Sequence, residues 1–317
     1  MKVTDLIRGH GTAFSFELLP PRKGESIEVL EGVVETLLKF EPRYINITTH
    51  RSEPRLRSLP NGGVKVEMLR RRPGAVAVAA ALQYKYGVPI VPHVLCLGFS
   101  ALETEYVLLD LQFLGIENLF LVRGDRLKAG NIVRDADTDC HMHTTELQEQ
   151  INKFNDGYFL GGERFDGVRR KFSYGVACYP EKHDESPNLE SDLRWFKRKV
   201  EMGAEYGVTQ MFFDNRKYFE FVKLCRESGI ACPIIPGIKP LVNKRQLSMI
   251  PASFHCDIPL ELSEAMMGAK GEDEEFEVGV EWCARQCKEL MAHGVPSIHF
   301  YTSSRAKSVE AVASRIY

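Results

Sequence analysis

The chain has 317 residues, 44% hydrophobic and 26% charged, with a formal net charge of −2. This is ordinary globular composition, long enough for one large α/β barrel or two medium domains. A pI near 6.5 lacks the basic footprint of a nucleic-acid binder, which lies above ~9.

An apolar run from Ala13 to Leu19 opens the chain, within a strand expected at 12–19. Ser15 and one carboxylate, Glu17, break it before Pro20-Pro21 stops it. A helix pattern at 25–40 leads to a strand at 44–48, a helix at 64–86 and a strand at 89–96. Next come a helix at 100–114, a strand at 118–123, a helix at 144–154 and a strand at 172–178. A helix at 188–203, a strand at 208–213, a helix at 215–228 and a strand at 232–238 continue the alternation. Helices at 243–250 and 273–293, a strand at 297–302 and a helix from Ser304 complete it. Glycine and proline mark the joints, as in Tyr86-Gly87-Val88-Pro89 and Ser228-Gly229-Ile230.

Eight such units over 1–317 predict a single-domain (β/α)8 TIM barrel, with near-continuous apolar strands covered on both faces. A doubly wound sheet is the alternative, but no G-x-G-x-x-G follows the first strand. Residues 124–171 form an expanded loop after the fourth strand. The N-terminus shows no secretory signal and no apolar run reaches the ~18 residues of a membrane span. Eight scattered cysteines read as reduced thiols, so a cytoplasmic protein with no membrane or nucleic-acid partner is expected.

Barrel enzymes carry their chemistry at the C-terminal ends of strands. Those positions hold Glu17, Thr48, Thr49, His93, Arg123, Asp125, Tyr179, Gln210, Pro236, Gly237, Tyr301 and Arg305. A solitary His93 would more often be a core histidine, but a polar set recurring at one end of most strands needs shared partners. No nucleophile elbow or two-metal carboxylate set is visible. His141 and His143, with Asp137, Asp139 and Cys140, resemble a metal cluster but lie in a loop, and no metal is expected. A hydrogen-bonding pocket with the acids Glu17 and Asp125 suits proton transfer beside an organic cofactor.

In order, FSFELLPPR, PHVLC, LVRGD, ACYPEKH, DLRWFKRKVEMGAEYGVTQMFFD, IIPGIKP and HFYTSSRA make the sequence resemble the short bacterial methylenetetrahydrofolate reductases. The resemblance implies a TIM barrel carrying noncovalent FAD and passing hydride from NADH or NADPH through the flavin to 5,10-methylenetetrahydrofolate. The product, 5-methyltetrahydrofolate, would feed methionine synthesis and one-carbon metabolism. By the same resemblance Glu17 is the general acid that protonates N10 for ring opening, and Asp125 tunes the flavin. FAD contacts would come from Thr48, His93, Arg123, Gly124, Asp125, Tyr179, His183, Asp192, Arg198 and Lys199. Folate contacts would come from Asp125, Gln210, Gln246 and Arg305. A homo-oligomer is implied, and no regulatory domain after the barrel is expected.

Phe14, Phe16, Leu18 and Leu19 flank Glu17, and apolar burial raises a carboxyl pKa, as a proton donor requires. Two departures from the family pattern stand out: Thr48-Thr49-His50-Arg51 replaces a small Gly-containing segment, and Trp195 replaces an Asn. Other readings are a flavin-independent barrel lyase or aldolase, against which no lysine is expected at a strand end, and a non-catalytic barrel subunit.

Overall fold

The computed structural model describes residues 1–9, 11–125, 139–166 and 170–317. A short helix α1 (Val3–Leu6) precedes β1 (Ala13–Leu18), α2 (Glu28–Leu37) and β2 (Tyr44–Ile47). A hairpin of β3 (Glu53–Ser58) and β4 (Val64–Leu69) stands before α3 (Ala75–Tyr86). Alternation resumes with β5 (Ile90–Leu95), α4 (Ala101–Phe113), β6 (Asn118–Val122), α5 (Thr144–Asn155) and β7 (Ser173–Cys178). Then come α6 (Leu189–Glu201), β8 (Tyr206–Thr209), α7 (Asn215–Glu227), β9 (Ile234–Ile235) and β10 (Gly237–Ile238). Helices α8 (Gln246–Phe254), α9 (Leu260–Gly268) and α10 (Glu272–Ala292), strand β11 (Ser297–Tyr301) and α11 (Ala306–Ile316) follow.

Nine parallel strands run in the order β10-β11-β1-β2-β5-β6-β7-β8-β9. Strands β9 and β10 are one stave interrupted at Pro236, which has no N–H to give a ladder. Its halves pair with β8 and β11, closing a (β/α)8 barrel. The stave is tight at Gly237, where a Cβ would stand 2.2 Å from the Thr209 carbonyl oxygen and 2.6 Å from the Tyr301 ring. Tyr301 Oη uses that space to donate to Thr209 O at 2.6 Å.

Strand periodicity decides what faces the barrel axis. In β1, Phe14, Phe16 and Leu18 pack outward with Leu30, Val33, Val34 and Leu37 of α2. Inside, Tyr44, Val91, Phe120, Tyr206, Val208 and Ile235 fill the lower barrel, which α1 plugs with Val3 and the turn after it with Ile7. The buried polar residues Ser15, Asn46, His93, Thr209 and His299 lie among the strands. Ser15 Oγ reaches His299 Nδ1 at 3.0 Å and donates to Ile298 O.

One expected element is corrected. The sequence predicts a helix over 64–86, but Val64–Leu69 pairs antiparallel with β3 and the helix starts at Ala75. VKVEML alternates apolar and charged residues, and its partner EPRLRS resolves an ambiguous pattern in favour of strand. The strand expected at 208–213 ends at Thr209, and α9 was not foreseen.

Candidate active site

Register places Glu17 between Tyr301 of β11 and Asn46 of β2. Its side chain is 15% exposed, and its Oε2 is 3.8 Å from His93 Nε2, past hydrogen-bond reach. Outside the ladder, the hydrogen bond Glu17 accepts among the described residues goes to its backbone carbonyl, from Thr302 Oγ1. Burial pushes the carboxyl up to about 7, and the Lys239 ammonium pulls the other way. His93 and His299 are pushed down to about 3, chiefly by burial. Both rings are therefore neutral near pH 7 and supply no charge to Glu17. Asn46 Nδ2 donates to His93 Nε2 at 3.1 Å, which puts the ring proton on Nδ1.

Lys239, directly after β10, was missed as a site residue and overturns the expectation that no lysine ends a strand. Its Nζ donates to Ser303 Oγ at 2.7 Å and lies 3.5 Å from Tyr301 O. Burial lowers its pKa, and Glu17 pulls that pKa up. The lysine was visible in IIPGIKP; what the sequence did not carry was its proximity to Glu17, which depends on barrel closure.

The opposite wall follows β6 and β7. Arg123 ion-pairs with Glu185, a second residue not foreseen, while its Nε is buried without a hydrogen-bond partner. Gly124 turns the chain at φ 85°, in the left-handed region that glycine tolerates, and Asp125 is exposed beyond it. Tyr179 meets the His183 ring edge-on at 4.7 Å. The His183 N–H donates to Asp192 Oδ2 at 3.1 Å, and Ser186 Oγ to Asp192 Oδ1 at 3.2 Å. Lys199 is two helical turns after Asp192 on α6; burial lowers its pKa, and Asp192 opposes this. Tyr301 joins the two walls, since burial raises its pKa and both Glu17 and Tyr179 add to the effect.

The remaining candidates are more peripheral. Thr48 Oγ1 is 3.2 Å from His50 Nε2. Gln210 donates its N–H to Cys178 O at 2.8 Å and folds its amide oxygen onto the Met211 N–H. Gln246 Oε1 accepts from the Val242 N–H at 2.7 Å. Arg198 and Arg305 are exposed, so the structure does not bring Arg198 onto the Asp192–Lys199 face. His141 is taken by Gln150 Oε1, and His143 stacks with Trp195 at 6.3 Å. Asp137 lies outside the described residues, and among those described no group of metal-ligating side chains forms. A cavity of about 180 Å³ at the barrel foot and one of about 400 Å³ beside the start of α7 contain none of these candidates.

Residues 2–317 match the family model described as methylenetetrahydrofolate reductase. The chain is 28% identical over 97% of its length to methylenetetrahydrofolate reductase (NADH) 1 of Arabidopsis thaliana, covering 49% of that protein. It is 27% identical over 94% of its length to the 5,10-methylenetetrahydrofolate reductase of Escherichia coli K12, covering 88% of it. The chain thus spans about half the length of its plant relative. A solved structure titled as an uncharacterized Clostridium thermocellum protein that binds two copies of 5-methyl-5,6,7,8-tetrahydrofolic acid shares the fold. Its TM-score is 0.58 at 12% identity, covering 99% of this chain and 96% of that one.

Proposed function

Because the chain belongs to the methylenetetrahydrofolate reductase family, we propose that it reduces 5,10-methylenetetrahydrofolate to 5-methyltetrahydrofolate, using FAD and NADH or NADPH. The observation that carries this reading is the buried Glu17 carboxyl, pushed up to about 7 at the C-terminal mouth of the barrel. An acid of that strength is substantially protonated at neutral pH and can still release its proton.

Two orphaned groups fit a bound FAD. Arg123 Nε and Asn46 Oδ1 are buried without hydrogen-bond partners, and buried polar atoms need them. A guanidinium matches a pyrophosphate, and an amide oxygen matches a ring N–H. Thr48, His93, Gly124, Asp125, Tyr179, His183, Asp192 and Lys199 complete the proposed contacts, and Arg198, exposed on another face of α6, is left out. When bound, FAD supplies reversible hydride transfer.

The protein's part is to prepare the folate. Glu17 gives its proton to N10, the bond between N10 and the bridging methylene breaks, and a 5-iminium cation forms. The exposed carboxylate of Asp125 favours that cation electrostatically, while Gln210, Gln246 and Arg305 hold the folate. Neutral His93 and His299 leave the proton on Glu17 until substrate arrives. We further propose a cytoplasmic homo-oligomer serving methionine synthesis. The lyase reading gains a lysine at a strand end, but the family match across the chain favours reduction.

Purified protein reconstituted with FAD should be yellow, bleach on adding NADH or NADPH, and recover its colour with methylenetetrahydrofolate as 5-methyltetrahydrofolate appears. Failure to bind FAD would overturn this reading.

A further inference from the structure

The loop between β11 and α11 commits three consecutive hydroxyls to the surroundings of Glu17. Thr302 Oγ1 donates to the Glu17 carbonyl. Ser304 Oγ accepts from the Leu19 N–H and donates to Leu19 O, both at 2.9 Å. Between them, Ser303 Oγ accepts from Lys239 Nζ at 2.7 Å. The loop does this with Ser303 at φ 50° and Ser304 at φ 56°, a left-handed conformation that non-glycine residues seldom adopt and that clusters at functional sites. Strands β1 and β10 are the two neighbours of β11. One strained loop therefore fixes the backbone that carries Glu17 and the ammonium that arrives from the other side.

We infer that Lys239 is a positioning residue for Glu17, held by the Thr302–Ser304 loop so that its ammonium steadies the carboxylate left once the proton is given up. This rests on reading Glu17 as the proton donor. Other groups near the acid do not substitute for it. His93 from β5 and His299 from β11 are held neutral by burial, Asn46 from β2 is uncharged, and burial keeps the Tyr301 phenol protonated. Arg305 acts on Lys239, lowering its pKa. Burial alone would hold the proton too tightly to protonate a weakly basic nitrogen, and a nearby cation offsets that.

The test that needs no cofactor is a carboxyl titration of carbon-13 glutamate in flavin-free protein, with Glu17→Gln identifying the resonance. Lys239→Met should move the Glu17 titration to higher pH, and Lys239→Arg should keep it near wild type. Ser303→Ala, which removes the tether with little change in volume, should move it the same way by less, and decides the matter if Lys239→Met does not fold. In FAD-loaded enzyme, Lys239→Met should slow reoxidation by methylenetetrahydrofolate about tenfold, leaving reduction by NAD(P)H unchanged. A Glu17 titration indifferent to both Lys239→Met and Ser303→Ala overturns the inference. A wild type that never reduces the folate would instead overturn the functional reading, whatever the titration shows.

Discussion

The two sides of the barrel mouth treat charge in opposite ways. Around Glu17 burial holds the histidines neutral and pushes the acid up to about 7, and Lys239 stands by as a tethered cation. Across the mouth, charges are compensated: Arg123 by Glu185, and Asp192 by the His183 N–H and the Ser186 hydroxyl. A proton donor must stay uncharged until its substrate arrives, and a poorly solvating environment does that. A surface that takes up an anionic cofactor must stay charged while empty, so it needs counter-groups of its own. On the proposed function, one mouth would hold two electrostatic environments, one for each half of the reaction.

Substituting the acid gives the largest expected effect. Glu17→Gln should cut folate reduction by about 10²- to 10⁴-fold, with flavin reduction by NAD(P)H nearly intact. Equal loss of both would make Glu17 a structural residue. The same substitution carries a pH signature. The Glu17 pKa is about 7 in the fold against an ordinary value of 4.5, so the folded state binds its proton more tightly. That contribution is fully present below pH 4.5 and is lost as pH rises through 7. At pH 8 the buried carboxylate costs about 3 kcal/mol, as an order of magnitude, which glutamine avoids. Denaturant unfolding should then show Glu17→Gln gaining on wild type between pH 5 and 8; a pH-independent gap would contradict the buried-acid account.

The opposite wall should respond differently. Arg123→Ala removes a charged donor whose net worth is about 1.5–3 kcal/mol, so FAD affinity should fall roughly tenfold to a hundredfold in a flavin titration. The flavin-loaded fraction should still reduce folate at a rate close to wild type. If Glu17→Gln loosens FAD as much as Arg123→Ala does, the division between the two sides fails.

How much of this contrast could be read in advance depends on how local each feature is. The barrel was legible because each stave is a short apolar run bounded by glycine or proline, and Glu17 because a carboxylate interrupts one of those runs. Lys197, Arg198 and Lys199 are consecutive, so which of them turns inward depends on the phase of α6, set by buried Phe196. Lys239 becomes a neighbour of Glu17 only when β10 and β1 flank β11. That juxtaposition joins residues over two hundred positions apart, so no local pattern contains it. The β3–β4 hairpin was hidden because VKVEML fits a helix stripe as well as a strand until EPRLRS pairs with it.

That hairpin offers the smallest effect and a control on the contrast. Its register puts Leu56 opposite Val66 and Pro54 opposite Met68, so these four share one face. Leu56 is 55% exposed and Met68 52%, and a two-stranded ribbon adds little stability by itself. Its base nevertheless touches the acid's own strand end: the Lys23 N–H donates to Arg71 O at 2.8 Å, and Arg72 donates to Pro20 O. Leu56→Ser with Met68→Ser should change stability by no more than about 0.5 kcal/mol per site and leave the Glu17 titration where it was. A titration that moves toward lower pH would mean that the hairpin helps exclude water from the acid. The low polarity around Glu17 would then belong partly to the ribbon above the mouth rather than to the barrel staves alone.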